Sequence, residues 1–171
     1  MTVHLVLGGA RSGKSAYAEQ TALNLGGSLH YIATAQPRAD AEFQARIARH
    51  QLSRSTQFKT HETPLHLAHT LNTLNASEHT IVVDCLTLWV TNCLLAQCWE
   101  AERDALLALL PKLRCRCLLV SNEVGLGVVP MGELSRQFVD ASGWLHQDIA
   151  ALADAVTLVT AGLAQRLKGA P

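Results

Sequence analysis

Five short apolar runs punctuate the chain: 2–7 (TVHLVL), 28–34 (SLHYIAT), 79–84 (HTIVVD), 116–122 (RCLLVSN) and 155–160 (AVTLVT). Three of them are nearly continuous in apolar residues, the pattern of parallel strands covered on both faces. Helical spacing fills the intervals at 14–25, 39–54, 64–75, 86–110 (two helices) and 132–153. A last piece, 162–169 (GLAQRLKG), reads as a short helix ended by a glycine. Strands alternating with helices predict an α/β fold, doubly wound around a mainly parallel sheet, in a single domain over 1–171. Such sheets bind ligands beyond the carboxyl ends of their strands, so the Gly- and Pro-containing stretch 123–130 is a candidate site wall.

Composition narrows the function. Basic and acidic side chains balance at 14 each, which argues against a general nucleic-acid binder. No apolar run approaches the roughly 20 residues of a membrane span, and the start of the chain lacks a signal-peptide pattern. The five cysteines, Cys85, Cys93, Cys98, Cys115 and Cys117, lie in or beside apolar segments without a CxxC pair. They read as reduced core thiols of a cytoplasmic protein, and Cys115-x-Cys117 lacks the spacing of a zinc site.

The segment 8–15, GGARSGKS, carries the first specific chemistry. Gly8, four residues, then Gly13-Lys14-Ser15 matches the phosphate-loop pattern in full, with a strand before it and a helix after it. Backbone N–H groups of Gly8, Gly9, Ala10, Arg11, Ser12 and Gly13 would cradle phosphate oxygens at a helix N-terminus. Lys14 can reach the β- and γ-phosphates and the Ser15 hydroxyl can ligate Mg2+. A second Mg2+-side carboxylate is expected at another strand end, where Asp84 stands; the same residue could cap the helix that follows, and the two roles are compatible.

The loop names a donor, not an acceptor. Among eight histidines, His4 and His30 read as packing residues in strands. His66, His69 and His79 read as solvated, and His146 sits on a long helix without a partner in sequence. His50 is set apart by its neighbours: Phe43, Ile47 and His50 share one helical side, with Arg46, Arg49 and Arg54 around them. A neutral imidazole among guanidinium groups can attack phosphorus while they steady a leaving pyrophosphate. Periodicity alone favours the plainer reading, an amphipathic surface helix with solvated arginines and a half-buried histidine.

The set GGARSGKS, 31–36 (YIATAQ), 45–50 (ARIARH), 86–92 (LTLWVTN) and 121–130 (SNEVGLGVVP) resembles the bifunctional adenosylcobinamide kinase/adenosylcobinamide-phosphate guanylyltransferase family, from Val3 to about Leu163. The resemblance implies a RecA-like P-loop fold and a cytoplasmic, homotrimeric enzyme of cobalamin biosynthesis. It implies phosphorylation of adenosylcobinamide by ATP or GTP. GMP transfer from GTP to adenosylcobinamide phosphate would follow, through GMP bound to a histidine, which matches His50. Arg49 stands where some relatives carry a second histidine. Nucleotide contacts carried over fall on Gly8 to Ser15, on Thr34, Ala35 and Gln36, on Gln51, Leu52, Ser53 and Arg54, and on Glu62 and Asp84; the last is Glu in some relatives. Val124, Leu126, Val128 and Val129 would either line an apolar wall for the corrin ring or pack their own loop down. The alternatives are a simple P-loop kinase, which would never label from the α-phosphate, and a partner-dependent nucleotide switch or ATPase module, which would bind GTP but phosphorylate no corrinoid.

Overall fold

The computed structural model describes residues 2–36 and 56–169. Seven strands form one sheet: β1 (Val3–Gly8), β2 (Ser28–Ala33), β3 (Lys59–Glu62), β4 (His79–Asp84), β5 (Arg116–Asn122), β6 (Ala155–Thr160) and β7 (Leu163–Lys168). Their order is β3-β2-β4-β5-β1-β6-β7, and all neighbours are parallel except β6 and β7. The described helices are α1 (Lys14–Leu25), α2 (Leu67–Thr73), α3 (Leu86–Leu95), α4 (Trp99–Leu109) and α5 (Glu133–Leu152).

Alternating strand residues face two cores. Val6, Tyr31, Val82, Leu118 and Val120 meet Ala18 and Ala22 of α1 on one face. Leu5, Ile81, Val83 and Leu119 meet α2 to α5 on the other, through Leu71, Trp89, Leu106, Leu145 and Ile149. Both faces of the central strands are therefore apolar, and that is why their sequences run continuously hydrophobic. From β1 the chain leaves over the α1 face towards β2, whereas α5 carries it over the opposite face to β6. Strand order thus reverses around β1, and open α/β sheets bind ligands beyond the strand ends at such a point.

The expected helix over 162–169 is instead β7. Ala161 (φ 52°) and Gly162 (φ 79°) make a tight left-handed turn that folds 163–168 back along β6 as an antiparallel edge. All six β7 residues are exposed, so no buried face set the spacing, and the pairing of backbone groups with β6 decided the outcome. β3 was not foreseen, because its sequence KTHE is polar and the strand lies at the sheet edge. The 86–110 stretch is two helices as expected, divided where Gln97 takes φ 55°. The helix expected at 39–54 lies outside the described residues.

Candidate active site

The phosphate loop leaves the sheet at Gly8. A Cβ there would lie 2.5 Å from both Ser12 Oγ and Val159 O, so only glycine allows this close approach. Gly13 takes φ 95°, immediately before α1, and would place a Cβ 3.3 Å from Gly162 Cα. The loop is tied internally by Ser12 N–H to Gly9 O (3.3 Å). It is tied from outside by Glu123 N–H to Gly8 O (3.1 Å) and by Gly162 N–H to Ser12 O (2.8 Å). The β6–β7 turn, absent from the sequence expectations, is thus an outer brace of the loop.

Lys14 is buried and donates from Nζ to Gly9 O at 3.2 Å, across the mouth of the loop. Ser12 Oγ is buried without a partner among the described protein groups, and a Cβ at Gly9 would meet nothing within 4 Å. A donor without a partner, an open backbone face and a helix N-terminus suit a chain of phosphates. Ser15, in the first turn of α1, and Asp84, closing β4, offer hard oxygen donors of the kind Mg2+ takes.

Asp84 is level with Ala33 of β2, which is level in turn with Glu62 of β3. The two carboxylate-bearing residues therefore occupy one row, roughly 10 Å apart across β2. Tyr31 Oη donates to Asp84 Oδ2 at 2.8 Å. The cap position of α3 is Cys85 and no side chain caps it, so the capping role weighed for Asp84 is not the arrangement found. Burial pushes the Cys85 thiol up, and Asp84 adds to the effect while Lys14 opposes it; the cation and the carboxylate both act on this one sulfur.

Thr34 is fully buried. Its hydroxyl donates to Cys85 O (2.7 Å) and accepts from Cys85 N–H (3.0 Å), while its carbonyl accepts from Asn92 Nδ2 (2.8 Å). Thr34 thus ties the ends of β2 and β4 together, and Ala35 and Gln36 follow on the rim. Asn122, at the end of β5, donates to Thr87 Oγ1 (3.1 Å), and its buried Oδ1 has no partner among the described groups. Sequence reading missed Tyr31, Thr87, Asn92 and Asn122, because each is joined to its partner only through strand register or helix placement. His50, Gln51, Leu52, Ser53 and Arg54 lie outside the described residues.

Beyond Asn122, Leu126, Val128 and Val129 stand 87%, 98% and 62% exposed. They do not pack the loop down. Beside them a groove of about 370 Å³ is lined by Thr91, Leu94, Pro130, Leu134 and Phe138 among others. His146, which had no partner in sequence, meets Ser121 Oγ at 2.7 Å beneath this loop. Burial lowers its pKa, against a smaller opposing pull from Glu123.

No helix of the described residues is long and apolar enough to cross a membrane. Over 94% of its length the chain is similar to the ATPase EscN of an enteropathogenic E. coli type III secretion system, with a TM-score of 0.51 and 11% identity, covering 43% of that protein. That likeness concerns the fold, a RecA-like P-loop arrangement. The bifunctional adenosylcobalamin biosynthesis protein CobP of Pseudomonas aeruginosa is 52% identical over 170 residues, 98% of each chain. The corresponding protein CobU of Salmonella typhimurium is 36% identical over 180 aligned positions, 96% of this chain and 98% of its own. The family model described as cobinamide kinase / cobinamide phosphate guanyltransferase matches residues 4–167, from β1 into β7, and the chain belongs to that family.

Proposed function

We propose that this chain phosphorylates adenosylcobinamide and then guanylylates the product, in the cytoplasm and as a homotrimer. The observation that carries the reading is the family match over 4–167, which takes in both the phosphate loop and His50. In the first reaction ATP or GTP lies along Gly8–Ser15, with Lys14 on the β- and γ-phosphates. The aminopropanol hydroxyl oxygen of the substrate bonds to the γ-phosphorus and loses its proton to solvent, while the bond from the γ-phosphorus to the β–γ bridging oxygen breaks and ADP or GDP leaves. Lys14 and the loop N–H groups hold the charge that spreads over the transferring oxygens. Mg2+ held by Ser15 and Asp84 would neutralise phosphate charge.

In the second reaction the His50 imidazole bonds to the α-phosphorus of GTP, and the bond to pyrophosphate breaks. Arg46, Arg49 and Arg54 steady that leaving group. The phosphate oxygen of adenosylcobinamide phosphate then bonds to the same phosphorus, the P–N bond breaks, and adenosyl-GDP-cobinamide departs. Each displacement has a good leaving group, which is the benefit of the covalent route. The exposed Leu126, Val128 and Val129 supply the apolar wall for the corrin ring. One domain carries out both steps, with Ala35, Gln36, Gln51, Leu52, Ser53 and Glu62 completing the nucleotide contacts and the buried Thr34 holding the strand ends behind them.

The test is incubation with GTP labelled at the α-phosphate, followed by denaturing separation. Label on wild type that acid removes and base spares, absent from His50→Ala, is the expected result. Absence of label while GTP binds would leave a P-loop kinase without nucleotidyl transfer.

A further inference from the structure

We propose that Tyr31 is a positioning residue for the metal-side carboxylate, acting through Asp84 rather than on substrate. The inference rests on the reading of Asp84 as a Mg2+ ligand. Tyr31 has no exposed surface, and its ring is held in the α1-side core with Phe58 edge-on at 6.0 Å and 85°. It pairs in register with Val82, so its hydroxyl reaches along β4 to the strand end. There it donates 2.8 Å to Asp84 Oδ2. A buried phenol needs a polar partner, and a hydrogen bond to an ionised carboxylate is about twice as strong as a neutral one. The ring cannot follow a moving carboxylate, because core packing on the sheet and Phe58 fix it. The consequence is directional: Asp84 keeps one orientation whether or not nucleotide is present, so a bound cation does not have to order it.

Asp84 has one methylene less than a glutamate would. A shorter side chain has fewer rotamers and less reach, so its productive geometry tolerates less error. A clamp on one carboxylate oxygen matters more for Asp than for Glu, and it predicts that Tyr31 and Asp84 behave as a unit.

The experiment is a double-mutant cycle on the full-length protein with Tyr31→Phe, Asp84→Asn and the pair. The probe is Mn2+ binding, followed by electron paramagnetic resonance in the presence of a non-hydrolysable GTP analogue. Analogue binding in EDTA and the melting temperature serve as controls. Tyr31→Phe keeps the ring and its packing and should weaken Mn2+ binding about tenfold, as loss of a partner behind a ligand does. It should leave metal-free analogue binding unchanged, and it should have no further effect once Asp84 is Asn. If Asp84→Asn weakens Mn2+ binding and Tyr31→Phe does not, Asp84 stands as a ligand and the positioning role is wrong. If neither variant changes Mn2+ binding, the assignment of Asp84 fails and Tyr31 falls with it. If Tyr31→Phe lowers metal-free binding and melting temperature to the same extent in both backgrounds, the residue serves packing alone.

Discussion

His30 and Tyr31 are neighbours on β2, both buried, and their side chains leave opposite faces of the sheet. Tyr31 reaches a carboxylate at the strand ends beside the phosphate loop. His30 faces the other way and closes a circuit: Nδ1 meets His61 Nε2 at 3.0 Å, Nε2 meets Ser28 Oγ at 3.2 Å, and the His79 ring lies 4.4 Å away. His79 in turn meets Leu74 O through Nδ1 at 2.9 Å. The hydrogen bonds of His30 run to a serine and to His61, and that of Tyr31 runs to the site. Burial of a polar group is common to both, so burial does not distinguish function from scaffolding. Where the chain of hydrogen bonds terminates does.

The sharpest way to break that distinction is Lys14→Ala. It should cost both reactions about 10²–10³-fold or more, with the melting temperature little changed. Retained turnover would remove the phosphate loop from the chemistry. His30→Phe should do the reverse. It should cost about 1 kcal/mol through the lost hydrogen bonds to His61 and Ser28, while activity per folded molecule stays the same. Denaturant unfolding beside a specific-activity assay separates the two outcomes. A drop in specific activity without a drop in stability would place the histidine cluster in the site.

pH sharpens the same contrast. Burial first, then the charges of His79, His61 and Lys59, lower His30 from 6.5 to about 4. The folded state therefore holds this imidazole neutral while the unfolded chain still binds a proton. The stability that follows is complete above pH 6.5 and is lost as pH falls from there towards about 4. His4, buried and beside Arg166, is also lowered to about 4 and contributes over the same window, so wild type and His30→Phe must be compared. The wild-type acid slope should exceed that of the variant, and identical slopes would remove His30 from the linkage. The smallest effect is expected at the exposed loop. Leu126→Ser and Val128→Ser should change stability by less than about 0.5 kcal/mol. They should raise KM for the corrinoid a few-fold and leave nucleotide KM alone; equal shifts in both would detach the loop from corrinoid binding.

The legible parts of this fold were those whose cause is local. Strands β1, β2, β4, β5 and β6 announce themselves as apolar β-rich runs, three of them nearly continuous because burial on both faces demands it. The phosphate loop does so because its glycines, lysine and serine act within eight consecutive positions. β3 was invisible because an edge strand with a polar sequence has no hydrophobic period. β7 was misread because Leu163 and Leu167 are spaced like a helix face that in fact packs on nothing. Tyr31 and Asp84 each looked ordinary or ambiguous alone. Their bond depends on β2 and β4 lying side by side, and on a register that only the folded sheet sets. The histidine cluster was illegible for the same reason. The role of His50 rests on family resemblance, and the residue lies outside the described ones.

The brace from Gly162 to Ser12 also bears on how the protein folds. The phosphate loop follows β1, yet that strand lies between β5 and β6, and the Ser12 carbonyl is held by the turn after β6. Folding must therefore bring β6 and its turn beside β1 before the loop is braced on that side. The compact eight-residue motif depends on a contact of long sequence separation, the kind that forms slowly because the chain between must close first.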